Sequence, residues 1–333
     1  MTMQDQTDAV TENRRDRLAP PADSRQAEES PTTGQSPIAA ADRSVLLSTP
    51  GYYRRAWRTL RRDKIAMAAL VLSAVLMVFS FGAPVLAAIT GSDYATGNLR
   101  NFLQPWFQSW DHPLGTDPNG RDILVRLAYG GRVSMTVAIL ALVFALLIGL
   151  TLGAISGFYG GFIDSAIMRF VDVIISIPGI ALLLLISVWW KPGPVGLAVI
   201  IALFGWTGLA RLVRGEVLSL RSRDYVDAAR VSGASNRAII TRHIFPNVIS
   251  LVIVWSSLAL PGLIITEATL SYLGFGVGIP TPSWGNMLQE AYAFIALSWT
   301  YAFLPGVMIF LSALAFNLLG IGLRDALDPR LNN

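Results

Sequence analysis

The sequence predicts an all-α integral membrane protein with six transmembrane helices and both termini in the cytoplasm. Three observations predict it. The 333 residues are 53% hydrophobic and only 14% charged, with a mean hydropathy of +0.51, whereas a soluble domain is about 45–50% apolar and about 25% charged. The apolar excess is gathered into blocks of the length a helix needs to cross hydrocarbon, about 20 residues. Lys and Arg are also unevenly shared between the connecting segments. With the N-terminus placed inside, 21 of the 26 fall in segments that are then cytoplasmic and five in segments outside, the bias that sets orientation. Because hydrocarbon satisfies no backbone N–H or C=O group, the blocks are helices.

Residues 1–48 are rich in Asp, Glu, Arg, Ser, Thr, Gln and Pro, and poor in large apolar side chains. Such a segment cannot bury enough surface to offset its ordering entropy, so it is expected to be a disordered cytoplasmic tail. No short apolar core with a cleavage site follows Met1, so it is not read as a signal peptide. Residues 49–64 differ: Tyr52, Tyr53 and Trp57 alternate with Arg54, Arg55, Arg58, Arg61 and Arg62. This is a basic aromatic helix suited to the membrane surface, with rings at headgroup level and guanidinium groups on anionic lipid.

The remainder, 65–333, carries the six spans. The first covers 65–88 and the second 133–155, both without charge. The third is uncharged over 173–190, but its helix is expected to begin near Phe162, since Asp164, Arg169 and Asp172 recur among apolar residues at helical spacing. Arg169 and Asp172 are placed to pair on one face, and Pro178 with Gly179 predicts a kink. The fourth span covers 195–210, the fifth 248–266 with Pro261 inside it, and the sixth lies within 291–323. Gly149, Gly153, Gly157 and Gly161 form a ridge of small residues against which another helix can pack closely.

Two connecting regions are long. The outer loop 91–132 contains His112, Gly115, Asp117, Gly120, Arg121 and Asp122, punctuated by Gly and Pro into turns. Asp117, Asp122 and Arg121 are expected to form a small ion-pair cluster that shapes it. After the fifth span, Glu267 opens an outer segment with Tyr272, Gly274, Phe275, Gly276, Pro280, Pro282, Trp284 and Gly285. Its glycines and prolines oppose a regular helix throughout, and irregular backbone at membrane level is tolerated only beside protein or a water-filled cavity. Glu267, Tyr272, Phe275 and Trp284 are therefore candidate residues of a pathway mouth.

The cytoplasmic stretch 215–247 is the most patterned. Residues 224–230 read as helix, with Ala228 and Ala229 good formers and Asp227 near the start. Gly233 permits the left-handed turn that ends such a helix. A second helix is expected from Ser235 to about His243, and Pro246 marks entry to the fifth span. The face with Ala228 and Ala229 lets another surface approach closely.

Asp227, Ala228, Ala229 and Gly233, then Ile244 and Pro246, resemble the loop of the membrane subunits of ATP-binding-cassette (ABC) importers, written Glu-Ala-Ala, three residues, Gly, nine residues, Ile, any residue, Leu-Pro. Asp replaces Glu, His243 stands for Ile, and Phe245 for Leu. The run Arg242, His243, Ile244, Pro246 and Asn247 is similar to the peptide-importer branch, as are the segments 112–122, 270–285 and 318–330. One departure is visible: the branch usually has Asp between two tail glycines, where this chain has Ile321. The resemblance covers about 50–333 and implies the type I ABC importer permease fold and the role of a second permease subunit for di- or oligopeptides, or for nickel or another small solute. It implies coupling to ATPase subunits through Asp227, Ala228, Ala229, Arg230, Gly233, Ala234, Arg242 and Pro246. It further implies a heterodimer with a homologous permease, two ATPases that bind the ATP and Mg, an extracellular or periplasmic binding protein, and residence in a bacterial or archaeal plasma membrane.

Other functions fit less well. The chain lacks the phosphate loop needed for ATP hydrolysis by that route, and no cofactor is expected in it. Without cysteine there is no thiolate site or Cys nucleophile. Its only histidines, His112 and His243, are far apart, which disfavours a His metal site, and neither lies at the depth of the spans' serines to make a Ser-His pair. The pI near 9.6 reflects orientation of Arg across a bilayer rather than nucleic acid as a partner. A stand-alone secondary transporter would need coupling charges at mid-membrane, and the spans are nearly free of them.

Overall fold

The computed structural model describes residues 52–189 and 193–327. The expected tail 1–48, the third span's last residue, Trp190, and the chain's last six residues lie outside them. The described residues are almost wholly helical: α1 (Tyr52–Arg62), α2 (Lys64–Phe81), α3 (Ala83–Thr90), α4 (Ile123–Tyr159), α5 (Gly161–Ser176), α6 (Gly179–Trp189), α7 (Pro194–Arg221), α8 (Asp224–Val231), α9 (Asn236–Ile239), α10 (Phe245–Tyr272), α11 (Trp284–Tyr292) and α12 (Trp299–Leu327). Among the described residues five helical stretches are long and apolar enough to cross a membrane, or six when the bent pair α5–α6 is counted as one span. The all-helical class with membrane-length apolar helices, read from the sequence, is observed.

The departures from expectation are local. The first span breaks at Gly82, because Pro84 in the first turn of α3 lacks an N–H and its ring crowds the preceding turn. The kink expected at Pro178 is an 81° bend that splits the third span into α5 and α6. Pro246 stands in the first turn of α10, at the entry expected of it, but no break precedes it. Asn236–Tyr272 runs as one 37-residue stretch, in which a π turn, Ile240–Ile244, widens the coil just before the proline. Glu267 does not open the outer segment; it sits inside α10, which continues to Tyr272. The irregular stretch is 273–283, after which Ser283 and Asn286 form a reciprocal capping box that starts α11.

The bundle is organised on α4 and α7. A Cβ added at Gly149, Gly153 or Gly157 would lie 2.9, 2.6 and 2.8 Å from the carbonyl oxygens of Trp206, Ala210 and Arg214. Four-residue spacing is thus matched on both helices, and only glycine allows this approach. The ridge ends one step early. Gly161 begins α5 with φ +56° and nothing near it, so it serves the turn out of α4 rather than the contact.

The charges of the third span pair between helices. Asp164 on α5 accepts two hydrogen bonds from Arg214 on α7, at 2.5 and 2.6 Å, and one from Ser156 of α4. Asp172 pairs with Arg211 of α7 at 2.5 Å rather than with Arg169. Both ties staple α5, the segment before the bend, to α7.

Candidate functional site

The connection between α7 and α10 is anchored on one side and bare on the other. Val226, Ile239 and Ile244, each 1% exposed or less, pack with Val217, Leu220, Phe158 and Val248. Outward stand Asp227, Ala228, Arg230 and Gly233, with Val231 90% exposed. An apolar side chain so placed is cheap to desolvate against a partner. Ala229 and Ala234 are half-buried and pack against the anchoring cluster. Arg242 and Pro246 are exposed. Asp227 and Arg230 pair at 3.0 Å across one helical turn, both in solvent.

The turn closes as the sequence demands. The N–H of Gly233 donates to Arg230 and that of Ala234 to Ala229, each at 3.0 Å, with Gly233 at φ +80°. This is the paired bonding that ends a helix on a left-handed residue. Ser235 then caps α9, accepting from the N–H of Ala238. Seven of the eight loop candidates lie in this connection, and the eighth, Pro246, lies in the first turn of α10.

The four outer candidates divide. Phe275 lines a cavity of about 700 Å³ with Ser271, Asn286, Gln289, Glu290 and the other residues of 274–279. Tyr272 is half-exposed at the end of α10. Trp284 has no exposed surface; its indole N–H donates to the Leu127 carbonyl at 2.9 Å and its backbone N–H to Ser134 Oγ at 3.2 Å, fastening α11 to α4. Glu267 is also wholly buried and accepts from Ser271 Oγ at 2.7 Å.

Beside that cavity lies a buried ionic network that sequence reading found only in part. Arg121 bonds Asp117, as expected. Asp122 instead caps α4 through the N–H of Val125 and meets His112 Nδ1 at 2.8 Å. The unforeseen members are Arg126 and Glu290. One carboxylate oxygen of Glu290 accepts from Arg121 at 3.0 Å, Arg126 at 2.9 Å and the Tyr301 hydroxyl at 3.0 Å, while Arg126 also meets Asp117 at 3.3 Å. Two acids and two arginines neutralise each other and tie the outer loop to α4, α11 and α12. The available signal was Glu290 itself, a lone acid among apolar residues that calls for a partner.

A helical bundle with up to six candidate spans and one exposed helix–glycine–helix connection has the build of a multi-pass membrane protein. Residues 149–333 match the family described as the binding-protein-dependent transport system inner membrane component, and the chain belongs to that family. Residues 51–105 match the N-terminal TM domain of oligopeptide transport permease C. The dipeptide transport system permease protein DppC of Bacillus subtilis (strain 168) is 35% identical over 291 residues, 86% of this chain and 89% of that protein. The glutathione transport system permease protein GsiD of Shigella flexneri serotype 5b (strain 8401) is 41% identical over 278 residues, 83% and 89% of the two chains. The oligopeptide transport system permease protein OppC of Haemophilus influenzae is 39% identical over 278 residues, 84% and 88%. The chain is thus an ABC importer permease of the type resembled by its loop and outer segments.

Proposed function

We propose that this chain is the second permease subunit of an ATP-driven importer for di- or oligopeptides, working by alternating access. It pairs with a homologous permease, takes energy from two separate ATPase subunits and receives substrate from a binding protein. The relatives' names support the substrate class, since dipeptides, oligopeptides and glutathione are all short peptides. The Lys and Arg bias supports cytoplasmic termini and a cytoplasmic loop.

The observation that carries the reading is the unbroken helix from Asn236 to Tyr272. It rises about 1.5 Å per residue, so it reaches about 55 Å. One end is rooted in the exposed loop; the other holds Glu267 and Ser271, the latter lining the outer cavity. A displacement of the loop passes along a stiff rod to the cavity. Asp227 with Arg230 supplies the polar contact to the ATPase. Ala228, Ala229 and Ala234 give a close-packing surface, Gly233 the turn, and Arg242 with Pro246 the junction to the rod. Phe275 and Tyr272 border the outer opening, while Glu267 and Trp284 hold its wall.

The test is Gly233→Asp in the assembled transporter. The chain should insert and assemble normally, ATP hydrolysis should continue, and peptide uptake should fall at least tenfold. Uptake at the wild-type rate would remove the loop from the mechanism.

A further inference from the structure

We propose that α1, α10 and α12 together form a binding site for one anionic diacyl phospholipid, with an acyl chain in an apolar furrow and its phosphate on the arginines of α1. The furrow, about 170 Å³, is lined by Ala56, Trp57, Leu60, Ile253, Leu323 and Leu327. Its walls are fixed: Ala56 and Leu60 are buried and pack with Ala66, Ala326 and Leu327, with Ile253 and Leu323 against them. So α1 is docked on the bundle rather than loosely laid on a bilayer.

Charge complementarity names the occupant. Arg54, Arg58, Arg61 and Arg62 are exposed at spacings of four, three and one residues, on one face of α1. None of them is in an ion pair among the described residues. The nearby carboxylate, Asp63, is spent on capping α2, where it accepts from the N–H groups of Ile65 and Ala66. One of these cations reaches the furrow itself, for the Arg61 guanidinium lies 5.9 Å over the ring of Trp57, a lining residue. An unpaired guanidinium row at the rim and a wall of hydrocarbon below it match a phosphate with an attached acyl chain. A soluble anion would leave the furrow unfilled, and a neutral lipid would leave the arginines unpaired. Ile253 belongs to the same continuous helix that begins in the exposed loop. A lipid seated on it therefore touches the rod that, on the reading above, carries the stroke.

The full chain, extracted with whatever subunits accompany it from phosphatidylglycerol/phosphatidylcholine vesicles in mild detergent, is weighed by native mass spectrometry. Wild type should retain one phosphatidylglycerol per chain in preference to phosphatidylcholine. Arg58→Gln/Arg61→Gln should lower its occupancy at least tenfold, and so should Ile253→Trp, which obstructs the furrow and keeps every arginine. Millimolar glycerol phosphate should not displace the lipid. Equal retention of both lipids, or loss in the arginine variant with none in Ile253→Trp, would overturn the site. The readout involves no uptake, so failure of the coupling role leaves it intact.

Discussion

Arg126 and Asp227 both stand in ion pairs, at the two ends of the bundle, and the pairs are built for different purposes. Arg126 has no exposed surface and shares Asp117 and Glu290 with Arg121. Asp227 and its partner Arg230 are both largely in water. A buried network of balanced charge holds its parts in one arrangement, because any loss strands a charge out of water. An exposed pair holds almost nothing and is free to exchange its partner for another surface. The outer loop is welded, and the loop between α7 and α10 is left open on one face. The residues worth mutating for stability and for coupling therefore differ.

The largest effect should come from Arg126→Ala. Leaving Asp117 and Glu290 with one arginine, Arg121, between them is expected to cost about 3–5 kcal/mol, read as a lower thermal unfolding midpoint in detergent; a midpoint within a degree of wild type would mean that the network is not the weld. Next is Gly153→Leu, which drives a side chain into the Ala210 carbonyl and should cost about 1–3 kcal/mol, with α4–α7 cross-linking between introduced cysteines weakened. Gly233→Ala has open space around it, so only the left-handed backbone is penalised, about 1–2 kcal/mol. It should shift the midpoint little and reduce uptake per ATP hydrolysed. Asp227→Ala should change stability by about 0–1 kcal/mol while weakening capture of the ATPase subunits in a pull-down. A variant that unfolds but still captures them would reverse the contrast.

The same contrast governs what could be read from the sequence. Spans, the glycine ridge and the loop rest on local signals: apolar block length, four-residue spacing, and a glycine after a short helix. Those were legible, down to Gly233 as the left-handed residue. The outer network was not, because its partners lie far apart in the chain. Arg126 meets Glu290 across 164 residues, and local spacing wrongly paired Arg169 with Asp172 and drew Asp122 into the Arg121 cluster. Prolines act in different ways, and only some of them break a helix. Pro178 sits at an 81° bend, while Pro246 is absorbed by a π turn and Pro261 and Pro305 lie inside continuous helices. The sign depends on whether neighbouring turns can re-satisfy the freed carbonyl, which packing decides. Ile321, the departure from the family pattern, is partly exposed on α12, and nothing in the structure explains it.

The chain has no cysteine, so a single introduced thiol reports its own side of the membrane. Ser232→Cys in the exposed loop and Trp110→Cys in the outer loop, where the native residue is 95% exposed, form the pair to compare in intact cells with a membrane-impermeant maleimide. Labelling is expected at 110 only, with 232 reacting after the membrane is opened and shielded when ATPase subunits are present. Labelling at 232 from outside intact cells would contradict this expectation.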